Sequence, residues 1–182
     1  MSDFIWSEDP STQLKSNGKS LEYSCFGPSP DQAATILLLH EGLGCVALWR
    51  DFPANLAKAS GFGVMAYSRA GYGQSDPADL PRPLDYMTRE AVDSLPQLIA
   101  AAGLQQIILL GHSDGASIAA IYGGSVEDHR VRGLILMAPH FFTEDMGLAS
   151  IAEAKVAYEN TNLSNRMSKY HNNPDNAFYG WN

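Results

Sequence analysis

Four short apolar runs recur along the chain, at 34–40 (ATILLLH), 63–67 (GVMAY), 106–110 (QIILL) and 131–138 (VRGLILMA). Each is continuous rather than alternating, and each is strand-length. That is the pattern of a β-strand covered on both faces. Helical spacing fills the intervals. Leu48, Trp49, Phe52, Leu56 and Ala59 mark a helix over 48–60 closed by Gly61, with Trp49 and Phe52 read as core residues. A second helix spans 86–102 and ends at Gly103, with Pro96 kinking it or starting a new turn. A small-residue helix follows at 115–122. Buried strands alternating with helices require right-handed crossovers. The predicted class is therefore α/β, a mostly parallel sheet with helices on both faces. A further short strand is expected at 21–26, ended by Gly27, Pro28 and Pro30, after a polar, turn-rich start at 1–20. Beyond Pro139 the rhythm stops: 146–160 reads as a helix, and the tail YHNNPDNAFYGWN as irregular.

The chain has 182 residues, a net charge of −8 and 45% hydrophobic residues, enough for one domain with a sizeable core. A surface of that sign repels phosphate backbones and anionic lipid, which argues against nucleic-acid and membrane partners. Cys25 and Cys45 show no ligand spacing, so neither a metal nor any other cofactor is expected, and both read as small buried residues. The acidic N-terminus does not resemble a signal peptide, and no apolar run approaches the ~18 residues of a membrane span. The expectation is a soluble cytoplasmic protein acting on a small molecule, with the oligomeric state unreadable.

The run at 106–110 leads straight into Gly111-His112-Ser113-Asp114-Gly115 and then a helix. G-x-S-x-G in that setting is the pattern of an activated serine. A tight strand-to-helix bend strains the central residue and lifts its hydroxyl above the sheet edge. Glycines two residues to either side let neighbouring chain pack close. The helix N-terminus offers free N–H groups to a developing oxyanion. The simpler alternative is that Ser113 only caps the following helix.

Acyl transfer needs a second N–H donor, and the first run ends in His40-Glu41-Gly42-Leu43-Gly44-Cys45. The amides of Leu43 and Asp114 are the candidate oxyanion hole, unless Gly42 and Gly44 merely form a tight turn. The same loop also fits a second function. Gly42-x-Gly44-x-x-Ala47 matches a dinucleotide fingerprint, and Arg69, ending the next strand, would suit an NADP-type 2′-phosphate.

In combination, LLLHEGLG at 37–44, the helix bearing Trp49 and Phe52, SRAGYGQSD at 68–76, GHSDGAS at 111–117 and RVRGLILMAPH at 130–140 resemble the α/β-hydrolase fold superfamily. The likeness is to small bacterial hydrolases of the esterase and C–C hydrolase type, and it covers most of residues 20–140. It implies Ser113 as nucleophile, with Leu43 and Asp114 as oxyanion donors. It also implies a core over 1–140 and the beginning of a helical lid over 141–182. Where the family has H-G-x, this chain has Glu41-Gly42-Leu43, so the oxyanion register can slip by one residue.

In the family the acid and then the histidine follow the serine, the histidine after the last strand. The chain reaches Asn182 two strands short of that point, so the C-terminal third, including the base, is expected to be missing. Within the sequence, Glu144 and Asp145 are possible triad acids, or else first-turn residues of a helix. His140 ends the fourth run on the catalytic side and reads as structural or substrate-lining in preference to general base. His129 belongs to the far end of the sheet and His171 to the tail. Glu41, Gly42, His112, Phe141 and Phe142 complete the substrate-lining candidates, with Met146 and Phe178 as further apolar contributors; lid packing accounts for Phe141, Phe142, Met146 and Phe178 equally well. Arg69, Tyr72 and Gln74 read as parts of a locally hydrogen-bonded turn at the rim. The functional expectation is a serine hydrolase acting on an ester or related small carbonyl compound. The alternatives are the NADP-type domain and a non-catalytic hydrolase fragment. The fourth run, without a further neighbour, would leave a long exposed edge.

Overall fold

The structure, a computed structural model, describes residues 4–9 and 11–182. Six strands form one sheet: β1 (Gln13–Ser16), β2 (Lys19–Phe26), β3 (Thr35–Leu39), β4 (Gly63–Tyr67), β5 (Ile107–His112) and β6 (Val131–Met137). Their spatial order is β1-β2-β4-β3-β5-β6. The last four in that order run parallel, and β1 and β2 are antiparallel additions at one side. The expected α/β architecture with helices on both faces is present.

Strand periodicity sorts the apolar runs between two cores. Leu37, Leu39, Met65, Tyr67, Ile107 and Leu109 face one side and pack on α3 (Leu95–Ala101) and α4 (Asp114–Ser125). Their neighbours Ile36, Leu38, Val64, Ala66 and Leu110 face the other side and meet α1 (Phe52–Ser60). This two-sided burial is why the runs are continuous in sequence.

Several elements differ from the sequence expectation. Within the polar start, β1 pairs with β2 through a tight turn in which Asn17 and Gly18 both have positive φ (49° and 72°). Asn-Gly is the dipeptide such a turn favours, and it was the available signal. The helix at 48–60 is broken into a 3₁₀ turn (Val46–Trp49) and α1, because Arg50 takes φ 51°. Phe52 consequently lies half out in solvent, stacked on Trp49 rather than buried. The helix at 86–102 is α2 (Tyr86–Arg89), a wide π turn (Glu90–Ser94) and α3, with Pro96 in the opening turn of α3.

The tail is the largest correction. Beyond α5 (Asp145–Asn160) comes a short α6 (Leu163–Met167), and the stretch 170–182 is not irregular but carries α7 (Pro174–Trp181). Asn173 caps α7 through its side chain, and Pro174 stands at the helix start. Phe178 is fully buried, stacked on Tyr158 at 3.9 Å between ring centroids, in a cluster with Tyr72, Met167 and Ala177. It is a core residue of this segment rather than a pocket wall. Much of α5 remains exposed, including Met146, Leu148 and Val156. Among the described residues no helix is long and apolar enough to cross a membrane.

At the end of the sheet, β6 has no strand on its outer side among the described residues, and Leu134, Ile135 and Met137 are exposed. An apolar edge of this kind templates pairing with another chain. Replacing Ile135 with lysine is expected to suppress concentration-dependent self-association, read by light scattering, while changing unfolding free energy by only about 0.5 kcal/mol. Unchanged scattering would count against the edge as the aggregation site.

Candidate active site

Because β3 and β5 are adjacent and parallel, their carboxyl ends open onto the same edge of the sheet. Both candidate loops begin there. The loop after β5 is a single strained residue, Ser113, with φ 52° and ψ −117°. A Cβ on Gly115 would run into the Leu39 carbonyl, and one on Gly111 into the backbone of Gly115 and Ala116. Only glycine lets α4 start this close to the strands. Ser113 takes the helix-capping position, yet its side chain makes no capping hydrogen bond. The hydroxyl is turned instead to His140, with Oγ 2.9 Å from Nε2.

His140 is held in place by the end of β6 and by α4. Ser113 N–H donates to the Met137 carbonyl at 2.9 Å, tying the bend to the end of β6. Ala138 then turns the chain with φ 49°. Ser117, one turn into α4, accepts from His140 N–H at 2.9 Å and donates to the His140 carbonyl at 3.0 Å. With the ring proton on Nδ1, Nε2 is the acceptor for the Ser113 hydroxyl. From the sequence His140 reads as structural or substrate-lining, and nothing local to Pro139-His140 reveals that the α4 serine clamps it.

After β3, Gly44 N–H donates to the Glu41 carbonyl at 3.1 Å, closing a turn around Gly42 and Leu43. Among the described residues, the Leu43 and Asp114 amides have no hydrogen-bond acceptor. The Asp114 amide is free because it opens a helix. The Glu41 carboxylate folds over Gly44 and lies 3.6 Å from His112 Nδ1, both side chains being part-exposed. The Trp181 indole of α7 covers Gly42 so closely that no Cβ fits there.

This geometry suits a dinucleotide poorly. The glycines open a 3₁₀ turn rather than an α-helix, an indole covers one, and a carboxylate occupies the space over the other, where it would repel pyrophosphate. Among the described residues no group of His, Cys, Asp and Glu side chains is arranged to hold a metal ion. Burial pushes the Cys25 thiol up to about 12 and Cys45 to about 11, so neither is a thiolate nucleophile at neutral pH.

Other candidates fall elsewhere. Glu144 caps α5 by position and Asp145 lies in its first turn. Both are exposed, and neither side chain makes a hydrogen bond or ion pair among the described residues. Phe141 and Phe142 are exposed next to His140. His129 is exposed just before β6, at the opposite end of the sheet. His171 is buried, and its Nδ1 accepts the Gly73 N–H at 3.0 Å, pinning the tail to the loop at 68–76. Arg69 is buried entirely, and its carbonyl accepts Tyr72 N–H at 3.0 Å within the locally hydrogen-bonded turn expected there.

A family model described as alpha/beta hydrolase fold matches residues 34–173. The chain belongs to that family. Human serine hydrolase BPHL is 28% identical over 173 residues, which are 94% of this chain and 55% of that protein. Proline iminopeptidase of Lactobacillus delbrueckii subsp. bulgaricus is 34% identical over 110 residues, 60% of this chain and 37% of the enzyme. Among solved structures, a carboxylesterase of Nitrososphaera gargenis superposes with TM-score 0.67 at 22% identity, covering 85% of this chain and 57% of that one. An esterase from Thermogutta terrifontis gives 0.64 at 19% identity, covering 93% and 70%. The match thus spans 37% to 55% of the length of these two curated relatives.

Two buried histidines support the site's loops in the neutral state. Burial, and secondarily Arg69, drives the His40 pKa well below the usual histidine value, and burial lowers that of His171. Unfolding returns both to about 6.5, so below that pH the unfolded chain binds more protons than the folded one. Their contribution is present above pH 6.5 and is lost as pH falls. Stability should decline from pH 7 toward pH 5, at up to about 1.4 kcal/mol per pH unit for each histidine. Urea unfolding across that range checks this. A His171→Gln variant should show a shallower decline.

Proposed function

We propose that the chain carries the nucleophile and oxyanion hole of a serine hydrolase acting on an ester or related small carbonyl substrate. The observation that carries this reading is the strained Ser113 with its Oγ 2.9 Å from His140 Nε2. Ser113 Oγ attacks the substrate carbonyl carbon as its proton passes to His140 Nε2. The carbonyl oxygen becomes an oxyanion and accepts the Leu43 and Asp114 amides, which have no other acceptor among the described residues. Collapse breaks the bond to the alkoxide, which leaves with the proton from His140. Water then repeats the sequence on the acyl-serine. Family membership supports hydrolysis, and the esterases and the peptidase among the relatives support an acyl substrate. In this reading Glu41, His112, Phe141 and Phe142, all at least part-exposed near Ser113 in the sequence or the fold, would face the substrate.

A fluorophosphonate probe tests this. Label is expected on Ser113 and absent from Ser113→Ala. His140→Gln should label about 10²-fold more slowly, the lower range for a lost general base. Failure of the parent chain to label, or equal labelling of Ser113→Ala, would overturn the proposal.

A further inference from the structure

Arg69 belongs to neither loop of the proposed oxyanion hole, yet it touches both. Its side chain is fully buried. Nη1 donates to the His40 carbonyl at 2.9 Å, and Nη2 donates to the Glu41 carbonyl at 3.2 Å. The same Nη2 lies 3.8 Å from Asp114 Oδ2, which also accepts the Tyr86 hydroxyl at 2.7 Å. The Arg69 backbone N–H donates to His40 Nε2 at 3.1 Å, and His40 Nδ1 is 2.6 Å from the Glu41 carbonyl. Burial would lower the guanidinium pKa, but Tyr72, Asp114, Glu90 and Tyr67 together outweigh it and hold it above the usual arginine value.

Each contact fixes an orientation. The Glu41 carbonyl held by Arg69 is the one that accepts Gly44 N–H. Fixing that carbonyl therefore fixes the turn that carries the Leu43 amide. On the other side, Asp114 is the first residue of α4, and its carboxylate is drawn to the same guanidinium. A planar fork can serve two carbonyls and a carboxylate together, whereas a lysine ammonium is a point charge on a flexible stem.

We propose that Arg69 is a positioning residue. It locks the two oxyanion donors, the amides of Leu43 and Asp114, into one geometry by holding both loops on a single guanidinium. This deepens the reading of Ser113 given above and rests on it. The charge is also held against both loops, so it favours the oxyanion over the neutral carbonyl. Its effect should therefore appear in reactivity more than in ground-state binding.

The test uses the ¹⁵N-labelled chain, with Asp114→Asn (same shape, no charge) and Arg69→Lys as variants. Amide resonances and the rate of Ser113 phosphonylation are both followed, and thermal unfolding checks the fold. In Asp114→Asn the Leu43 amide resonance is expected to shift, although the change lies on the other loop. In Arg69→Lys both the Leu43 and Asp114 amides should shift, and phosphonylation should slow by about 10²-fold, the order seen when an oxyanion donor is lost. Saturation binding of the probe before reaction should change less than twofold, a split that simple loss of stability does not produce. An unmoved Leu43 resonance in folded Asp114→Asn overturns the proposal, as does an unchanged phosphonylation rate in folded Arg69→Lys. If Arg69→Lys does not fold, the Leu43 resonance in Asp114→Asn decides alone. If the parent chain is never phosphonylated while the two amides still move together, the nucleophile reading fails and the coupling through Arg69 stands.

Discussion

The approach of α4 to the carboxyl ends of β3 and β5 is the constraint on which the candidate site depends. Gly111 and Gly115 permit it, since a Cβ at either would meet backbone atoms that cannot yield. At that separation the connection has room for only one residue. Ser113 must adopt a positive φ, at a cost of order 1–3 kcal/mol. The surroundings offset this strain with a hydrogen bond from its N–H to Met137 and with the burial of Ile118 and Ala119 against the sheet. Strain, exposed hydroxyl and free Asp114 amide are thus three results of one packing decision.

A second layer holds the loops around that bend. Glu22, buried in β2, accepts the Ser68 hydroxyl at 2.6 Å and Gln74 N–H at 3.0 Å. Ser68 Oγ in turn accepts Val46 N–H at 2.9 Å, next to the loop at 41–44. Arg69 joins that loop to Asp114, and His171 joins the loop at 68–76 to the tail. Buried charges contribute little net stability after desolvation, but removing one partner strands the other. Such a network selects one loop arrangement over its near alternatives.

The tail completes the rim in an uneven way. α7 is held by the Asn176 side chain, which donates to the Ala78 carbonyl and accepts from Ala78 N–H, each at 2.9 Å. Trp181 sits over Gly42, and Phe178 lies in a closed aromatic cluster. By contrast α5 and the segment leading into it are mostly exposed. The same 40 or so residues therefore supply both a wall fused to the site and a helix with little to pack on.

Much of the architecture was legible in the residues themselves. A run such as Ile36–Leu39 is apolar on every residue because two helical layers cover it, and G-x-S-x-G between strand and helix marks a bend that few other sequences tolerate. These are local consequences of steric and hydrophobic periodicity, so sequence alone determined the fold class, the parallel strands and the position of Ser113. It did not determine which groups would face that serine. His140 reaches Ser113 across 27 positions of chain through a clamp on Ser117, Arg69 spans three elements, and Trp181 crosses from the tail to Gly42. Each pairing depends on the angle and distance at which separate elements pack. No local pattern encodes those quantities, and only the tertiary structure decided them.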